Sequence, residues 1–329
     1  MKAYFITGST GFLGYNIIKQ INNPDNLIIA LVMKGDPNIH LFDSFKNIKI
    51  IEGNILNKED VNKFLSYPFK GDKYLMHAAG KITTLKKGDP MVTKINFEGT
   101  KNIVDCSKDK GFQKIIYISS VDSLKYRKDK AIIHEQETYK EEDTVGIYGK
   151  SKVLASNYVR NNLNNYIVIM PSAILGPDDP LNSAINSAIH KIMNNKLPAI
   201  VKGGYNLVDV RDVASGILSV IDSDKINEDY LLTGHYISIK DLAKVVSELS
   251  HSKKPKFVVP HIIIKGIAPF ITLHAKRQKK MPLFTGFSMD CLKQNANYSY
   301  EKANRDFSYQ PRDLDVTILD TINFLKSKK

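Results

Sequence analysis

A glycine-rich turn close to the start of the chain restricts the fold more than any other feature of the sequence. The apolar run 3–7 leads directly into Gly8, Ser9, Thr10, Gly11, Phe12, Leu13 and Gly14, and a helical pattern follows over 12–21. Glycines here permit a tight turn and a close approach of the backbone to a ligand. The amide groups at the helix N-terminus then face a pyrophosphate. The spacing G-x-x-G-x-x-G between a strand and a helix predicts a dinucleotide site, with an ordinary glycine-rich turn as the alternative.

Short apolar runs alternate with helical patterns through the first half of the chain, which is typical of parallel strands joined by helices. The predicted strands are 2–7, 27–32, 48–52, 73–77, 114–119 and 166–170, and the predicted helices are 12–21, 58–65, 91–110 and one that begins near Tyr148. The fifth run is apolar enough to be buried on both faces. We therefore predict an α/β fold with a Rossmann-type, doubly wound parallel sheet.

The pattern is less regular after Pro171. Helices are predicted at 182–194, 210–222, 238–250 and 314–326, with short strands near 205–208 and 230–233. No linker, repeat or low-complexity tract divides the chain. We expect an NAD(P)-binding Rossmann domain over 1–170, to which 206–235 returns, and a smaller, mostly helical substrate-binding lobe made of 171–205 and 236–329.

Composition narrows the remaining classes of protein. Of the 329 residues, 43% are hydrophobic and 25% charged, which excludes general disorder. The net charge of +13 comes from lysines spread along the chain, so we expect a solvated basic surface and no nucleic-acid partner. Two cysteines, and eight histidines without ligand spacing, predict no disulfide scaffold and no metal site. Without a secretory pattern or a run of roughly 18 apolar residues, we expect a cytoplasmic protein with no transmembrane segment.

One segment departs from this even distribution of charge. Residues 251–280 hold eight Lys or Arg and no acidic residue around the apolar run 257–273, which prolines and a glycine interrupt. We expect this segment to be either a wall of the substrate lobe with a basic rim or a peripheral membrane contact.

The end of the second strand bears on which dinucleotide binds. A carboxylate there accepts a hydrogen bond from the ribose 2′-hydroxyl of NAD(H), whereas a cation attracts the 2′-phosphate of NADP(H). Lys34 stands at this strand end and no acidic residue precedes it, so NADP(H) is favoured. Asp36 is the argument for NAD(H), because a shift of the loop would bring its carboxylate to the ribose.

Tyr148 and Lys152 lie four residues apart and therefore on one face of the predicted helix. A free tyrosine has a pKa of about 10, which an ammonium group and a cationic nicotinamide ring would lower. Tyr148 can then exchange a proton with a carbonyl or alcohol oxygen while a hydride moves at the adjacent carbon. Ser120, at the end of the fifth strand, is expected to bind that oxygen, with Ser119 on the cofactor side; capping of local backbone is the alternative for both serines.

Together these motifs resemble the extended short-chain dehydrogenases/reductases, of the NAD(P)-dependent epimerase/dehydratase superfamily. The resemblance covers residues 6–214 and also includes Gly53, Asn54 and Ile55, His77, Ala78, Ala79 and Gly80, Asn96, and Pro171, Ser172 and Ala173. It implies cofactor contacts from Gly8, Thr10, Gly11, Phe12, Leu13, Gly14, Lys34, Asn54, Ile55, Ala78, Ala79, Gly80, Tyr148, Lys152, Pro171, Ser172 and Ala173. It also implies a possible homodimer formed by helices near 91–110 and 148–161.

Within that superfamily the chain differs from the nucleotide-sugar enzymes. It has Asn54 where relatives usually carry Asp, Met170 where they often carry Arg, and Ala173 where an Asn helps to hold the nucleotide diphosphate. Alanine cannot replace those hydrogen bonds. The Pro-Ser-Ala run and the segment 281–285 are more similar to the dihydroflavonol reductase and hydroxysteroid dehydrogenase branches.

These comparisons of motifs leave three hypotheses for function. The first is an NAD(P)H-dependent oxidoreductase that reduces an apolar ketone or aldehyde, or oxidises the alcohol, with Ser120, Tyr148 and Lys152 as catalytic residues. The second is a nucleotide-sugar epimerase or dehydratase that keeps and recycles its NAD. The third is a non-catalytic dinucleotide-sensing protein, against which the presence of all three catalytic residues argues.

Overall fold

The computed structural model describes residues 1–83, 89–197, 199–255, 257–260 and 291–328. The strands in these ranges are β1 Lys2–Thr7, β2 Asn26–Val32, β3 Ile48–Glu52, β4 Asp72–His77, β5 Phe112–Ile118, β6 Tyr166–Pro171, β7 Ala173–Leu175, β8 Ala199–Val201, β9 Gly204–Asp209, β10 Glu228–Leu232, β11 His235–Ser238 and β12 Phe257–Val259. The helices are α1 Phe12–Ile21, α2 Lys58–Leu65, α3 Pro90–Thr93, α4 Thr100–Ser107, α5 Gly146–Asn162, α6 Ala184–Met193, α7 Val210–Asp222, α8 Ile239–Ser250, α9 Glu301–Phe307 and α10 Leu314–Ser327.

Seven parallel strands form the main sheet, in the order β10-β6-β5-β4-β1-β2-β3. Pairing of β1 with both β2 and β4 places Thr7 between Leu31 and His77. The chain order reverses at β1, so the loops after β1 and β4 diverge to opposite faces and leave a crevice at the carboxyl ends of the strands. The predicted Rossmann-type sheet is confirmed, with β10 added beside β6.

Alternate side chains of β1 enter two different cores, which is why helices cover both faces of the sheet. Phe5 packs against Phe64 of α2 on one face, and Ile6 packs in the same core as Ile17 of α1 on the other. All four are fully buried. Burial of each such side chain contributes about 1.5–3 kcal/mol, so the continuous apolar run of β1 fixes its central place in the sheet.

The predicted helix over 91–110 is divided in the structure. A π-helical turn, Lys94–Gly99, joins α3 to α4. The helix also ends earlier than predicted, at Ser107, because the backbone of Lys108 is extended and Asp109 has a φ of 60°. Such π-helical turns are frequent at functional sites.

A smaller set of elements packs at the carboxyl edge of the main sheet. Strands β7, β9 and β11 form one small sheet, and β8 pairs with β12 in parallel. Their core contains Leu175, Ile189 of α6, Leu242 of α8 and Ile318 of α10. The sequence pattern did not predict the three-residue strands β7, β8 and β12, because so short a segment shows no alternation of apolar and polar residues.

Candidate active site

The glycine-rich turn between β1 and α1 needs its glycines for steric reasons. Gly8 has a φ of 69°, and a Cβ atom on it would lie 2.7 Å from the backbone of Ala78 and Ala79. A Cβ atom on Gly14 would lie 2.1 Å from the carbonyl oxygen of Gly8. The turn is closed by a 3.0 Å hydrogen bond from the amide of Gly11 to the same carbonyl. The amide groups that start α1 are therefore held at the sheet edge without side chains between them and a ligand.

The loop after β2 turns back onto the glycine-rich turn. The hydroxyl of Thr10 donates a 2.7 Å hydrogen bond to the carboxylate of Asp36, and the amide of Asn38 donates to the other carboxylate oxygen at 2.9 Å. Lys34, by contrast, is exposed to solvent. The carboxylate, and not the ammonium group, is thus the charge that the structure fixes beside the turn.

The loops after β3 and β4 complete this edge. Asn54 accepts a hydrogen bond from the amide of Leu56 at 2.9 Å, and Asn102 donates to the carbonyl of Ile55 at 3.0 Å. A Cβ atom on Gly80 would lie 3.4 Å from Nζ of Lys152. The predicted cofactor loops of β1, β3 and β4 therefore lie along one edge, and the β4 loop reaches the predicted catalytic lysine.

His77, at the end of β4, is held neutral. Its Nδ1 lies 2.6 Å from the hydroxyl of Thr7 and its Nε2 lies 2.9 Å from the hydroxyl of Thr100. The Thr100 hydroxyl donates to the carbonyl of Asn96 at 2.6 Å, so it accepts from His77, which assigns the ring proton to Nε2. Burial, and secondly the charge of Lys152, lowers the pKa of His77 to about 3. His77 therefore serves as a buried support for the β4 loop.

Asn96 links the β4 loop to α5. Its side-chain oxygen accepts from the amide of Lys81 at 2.7 Å, and its amide group donates to the carbonyl of Lys81 at 3.0 Å and to the hydroxyl of Ser151 at 2.9 Å. Ser151 in turn donates to the carbonyl of Tyr148 at 2.7 Å. Asn96 lies in the π-helical turn, so that irregularity supports the helix that carries Tyr148.

The three predicted catalytic side chains meet at the carboxyl end of β5. Ser120 follows this strand by two residues, whereas Tyr148 and Lys152 lie one turn apart in α5. Ser120, Tyr148 and Lys152 are 8%, 9% and 4% exposed, and the Ser120 hydroxyl is a hydrogen-bond partner of the Tyr148 phenol. A hydroxyl, a phenol and an amine thus share one buried site next to the glycine-rich turn.

Lys152 is oriented by the strand that it packs against. Its Nζ donates to the carbonyl of Ile118 at 2.7 Å and to the hydroxyl of Tyr117 at 3.4 Å. Burial lowers the pKa of Lys152 to about 7. An amine in this range gains or loses a proton close to neutral pH.

The pKa of Tyr148 is raised in this structure, contrary to the lowering expected from the sequence. The main cause is burial of the phenol, and the second is the nearby carboxylate of Asp122; the hydrogen bond from Ser120 acts in the opposite direction. Lys152 does not offset this rise in the pKa of Tyr148, since its Nζ is hydrogen-bonded to the carbonyl of Ile118. The lowering by a bound cationic nicotinamide stays a prediction.

Two further serines differ in surroundings. Ser119, expected on the cofactor side, has its hydroxyl 2.8 Å from that of Ser156 in a buried contact between β5 and α5. The hydroxyl of Ser172, between Pro171 and Ala173, is buried and has no hydrogen-bond partner within the described residues. Ser119 therefore holds the helix to the sheet, while Ser172 retains a buried polar atom for a ligand group.

The loop that follows Ser120 is tied to the C-terminal part of the chain. The amide of Ser299 donates to the carbonyl of Ile133, and the amide of Ile133 donates to the carbonyl of Asn297, at 2.9 and 2.8 Å. These bonds attach the middle of the loop over 121–147 to the segment that precedes α9. Most of the basic and apolar segment 251–280, and all of 281–285, lie outside the described residues.

The residues at this edge fit a dinucleotide. The turn from Gly8 to Gly14 leaves a cradle that a Cβ atom at either end would fill, and Ser172 offers a buried hydroxyl without a partner. Within the part of the chain that the structure describes, no three His, Cys, Asp or Glu side chains are grouped closely enough to hold a metal ion, and no helix is both long and apolar enough to cross a membrane.

Sequence reasoning missed one residue of this site. Asp122 lies two positions after Ser120, and its carboxylate acts on Tyr148. Its position in the sequence could have indicated this, because a polar residue just after the carboxyl end of a central strand lies at the edge where such sheets bind ligands.

Comparison with known proteins agrees with this geometry. The sequence profile of the NAD dependent epimerase/dehydratase family matches residues 4–232. A protein of Synechocystis sp. named as a candidate dihydroflavonol 4-reductase is 27% identical over 266 residues, 78% of this chain and 75% of that protein. The Homo sapiens sterol-4-alpha-carboxylate 3-dehydrogenase, decarboxylating, is 24% identical over 344 residues, 94% of this chain and 84% of that protein.

A solved structure extends the similarity to the whole fold. The crystal structure of gox2253 superposes with a TM-score of 0.83 at 28% identity, and the match covers 99% of this chain and 98% of that one. The expected family and fold are thereby confirmed. With the profile matching most of the chain and the dinucleotide cradle next to Ser120, Tyr148 and Lys152, this protein belongs to the NAD dependent epimerase/dehydratase family.

Proposed function

We propose that this chain is a nicotinamide-dependent oxidoreductase that reduces the carbonyl group of an apolar ketone or aldehyde, and oxidises the corresponding alcohol in reverse. The observation that carries the proposal is the convergence of Ser120, Tyr148 and Lys152 at the end of β5, beside the glycine-rich turn. These are the groups needed to bind a carbonyl oxygen and to protonate it.

The residues would divide the reaction among them. The hydroxyl of Ser120 donates to the substrate oxygen and holds it next to Tyr148. The phenol of Tyr148 gives its proton to that oxygen as the carbon accepts a hydride, so a C=O group becomes CH–OH. When bound, the reduced nicotinamide supplies this hydride. Lys152, whose Nζ lies next to Gly80, is placed to contact the ribose of the cofactor and, in its ammonium form, to stabilise the tyrosinate that this proton transfer leaves on Tyr148.

An apolar substrate is favoured by what surrounds the end of β6. Met170 is fully buried, and Ala173 follows where a nucleotide-sugar enzyme would present a side chain for the diphosphate. No hydrogen bond can come from either side chain. The names of the two similar proteins, a flavonoid reductase and a sterol dehydrogenase, indicate the same class of substrate.

The rival function is that of a nucleotide-sugar epimerase or dehydratase, which the description of the family includes. Such an enzyme uses the same three catalytic residues but retains its cofactor and recycles the hydride. The two functions therefore differ in whether nicotinamide is exchanged on each turnover.

For the cofactor we propose NAD(H), with NADP(H) bound more weakly. The Thr10–Asp36 hydrogen bond fixes a carboxylate beside the glycine-rich turn, where it repels a 2′-phosphate and can accept from a 2′-hydroxyl. This differs from the preference for NADP(H) expected from Lys34 alone. Lys34 is exposed, and an exposed ion pair contributes only about 0–1 kcal/mol.

One experiment tests the function and separates it from its rival. The purified protein is denatured, any released nicotinamide nucleotide is quantified, and the native protein is then assayed with NADH and NADPH against apolar ketones, aldehydes and UDP-sugars. The proposal predicts less than one bound nucleotide per chain, and consumption of reduced cofactor with an apolar carbonyl compound. A full complement of retained NAD, together with conversion of a UDP-sugar, would establish the rival function.

A further inference from the structure

We infer that Asp122 is a positioning residue of this site, which orients the hydroxyl of Ser120 and holds the proton on the phenol of Tyr148. The inference rests on the proposed function and extends it, because it names the group that keeps Tyr148 protonated, the state that carbonyl reduction requires.

The first observation is a pair of contacts between Asp122 and Ser120. The amide of Asp122 donates to the Ser120 hydroxyl oxygen at 3.1 Å, and that hydroxyl donates to Oδ2 of Asp122 at 3.4 Å. The first bond fixes the position of the oxygen. The second is long, so the hydroxyl proton is free to turn to a substrate oxygen when one is present.

The second observation is the packing of this turn on α5. Asp122 lies in a short 3-10 turn, Val121–Ser123, that follows β5. A Cβ atom on Gly149 would lie only 2.5 Å from the carbonyl oxygen of Asp122. The glycine next to Tyr148 therefore lets the turn approach the helix closely enough to bring the carboxylate within range of the phenol.

The third observation concerns the charges around Tyr148. Asp122 faces Tyr148 from the turn, and Tyr117 faces it from β5. Lys152 lies in the same helix as Tyr148, but its Nζ is hydrogen-bonded to the carbonyl of Ile118. Among the described residues, Asp122 is the carboxylate that acts on the Tyr148 phenol. A negative charge there disfavours the tyrosinate and keeps the proton in place.

Two more tyrosines and a cysteine face Asp122 or its neighbours from the C-terminal part of the chain. Tyr205 of β9 and Tyr298 both feel the charge of Asp122 and of Cys291, and burial is the main cause that raises the pKa of each phenol, to about 12 for Tyr205. Both phenols are therefore neutral near pH 7. Desolvation raises the pKa of the Asp122 carboxyl group, and the hydrogen bond from Ser120 acts in the opposite direction. At the alkaline pH where Tyr148 ionises, this carboxyl group is deprotonated.

These contacts affect how the two directions of the reaction depend on pH. Reduction needs a protonated Tyr148, which the carboxylate maintains, whereas oxidation needs the tyrosinate, which the carboxylate opposes. The wild-type protein should therefore oxidise alcohols only at high pH. Asp122→Asn keeps the amide, the size and a side-chain acceptor for Ser120 but removes the charge, so it should lower the pH at which Tyr148 ionises.

The test is an NMR titration of the full chain labelled with ¹³C at the tyrosine ring carbon that bears the hydroxyl, free and with NAD⁺. Loss of one signal in Tyr148→Phe identifies the residue. In Asp122→Asn the midpoint of this signal should fall by about one pH unit, in line with removal of a neighbouring charge. Asp122→Glu should restore the higher midpoint. Asp129→Asn, which removes an exposed carboxylate farther along the same loop, should not shift it.

A kinetic readout accompanies the titration. With the alcohol as substrate, the rise of kcat/KM with pH should occur at lower pH in Asp122→Asn by a similar shift, with the KM for NAD⁺ unchanged. Equal midpoints in wild type and Asp122→Asn would overturn the inference. Should that variant fail to fold, Asp122→Ser, which also removes the charge, takes its place. The free-protein titration tests Asp122 even if no carbonyl compound is reduced, an outcome that would refute only the proposed function.

Discussion

The amine of Lys152 donates a 2.7 Å hydrogen bond to the carbonyl oxygen of Ile118. This contact joins α5 to the last residue of β5, immediately before Ser119 and Ser120. It places an ionisable nitrogen in a buried position, where burial lowers the pKa of Lys152 to about 7. The arrangement supplies the proposed chemistry at a cost in stability, and that cost can be measured.

Lys152→Met should stabilise the protein while it abolishes turnover. The unfolded state binds more protons than the folded state between pH 7 and the usual pKa of 10.5. The cost of burying Lys152 is therefore complete below pH 7 and disappears as the pH rises to 10.5. We expect a gain of about 1–2 kcal/mol in the free energy of unfolding at pH 7, measured by urea denaturation. The gain should shrink by pH 10, and Lys150→Met, on the exposed face of α5, should show no such trend.

His77 should make the fold sensitive to acid. Its folded-state pKa is about 3 against a usual value of 6.5, so the unfolded state binds more protons in that window. Stability should therefore fall as the pH drops below 6.5, by up to about 1.4 kcal/mol per pH unit. In His77→Gln, which keeps a donor and an acceptor for Thr7 and Thr100, this slope should be smaller. His40→Gln, an exposed control, should retain it; equal slopes in all three proteins would refute the assignment.

A comparison of alanine variants at Gly8 and Gly35 distinguishes the cost of steric contact from the cost of backbone strain. Their φ angles are nearly equal, 69° and 73°, but a Cβ atom meets the backbone of Ala78 only at Gly8, while nothing lies within 4 Å at Gly35. Gly35→Ala should cost about 1–2 kcal/mol from strain alone. Gly8→Ala should cost about 1–3 kcal/mol more, because the strand edge must move. Equal losses in thermal denaturation would show that the close approach at Gly8 is unimportant.

Cofactor choice should depend on Asp36 more than on Lys34. Asp36→Asn retains an acceptor for Thr10 but removes the charge, so we expect NADPH to bind about tenfold more tightly and NADH to change little. Lys34→Glu should alter the binding of either cofactor by less than this, since an exposed pair is weak. Dissociation constants from the quenching of protein fluorescence measure both. A large loss of NADPH affinity in Lys34→Glu alone would assign the selection to Lys34.

The central sheet was predictable because its strands carry the signal in their own sequence. The runs 3–6 and 115–118 are apolar at every position, as is typical of strands buried on both faces, and glycines mark the turn that follows β1. The strand β7 and the π-helical turn at Asn96 gave no such signal. Their conformations are set by tertiary contacts, such as the hydrogen bond from Asn96 to Ser151.

In the candidate site, the sequence could predict only those arrangements that depend on a single element. The spacing of Tyr148 and Lys152 places both on one helix face whatever surrounds them. The residues around them decide their ionisation. Burial raises the pKa of Tyr148, contrary to the lowering expected from Lys152, and the carboxylate of Asp122, from a separate element, raises it further. The Thr10–Asp36 contact likewise joins two loops that are separated in sequence by a whole helix and strand. Pairings of this kind depend on the folded loops, which the sequence pattern does not specify.

The most direct test of the proposed function is the rate of reduced-nicotinamide oxidation by Tyr148→Phe beside the wild type, with a carbonyl substrate found in the screen described above. The variant keeps the ring and its packing but has no proton to give. Turnover should fall by about 10²–10⁴, the contribution of a positioned general acid, with the dissociation constant for the cofactor unchanged. A Tyr148→Phe enzyme that turns over at the wild-type rate would contradict the assignment of Tyr148 as the proton donor.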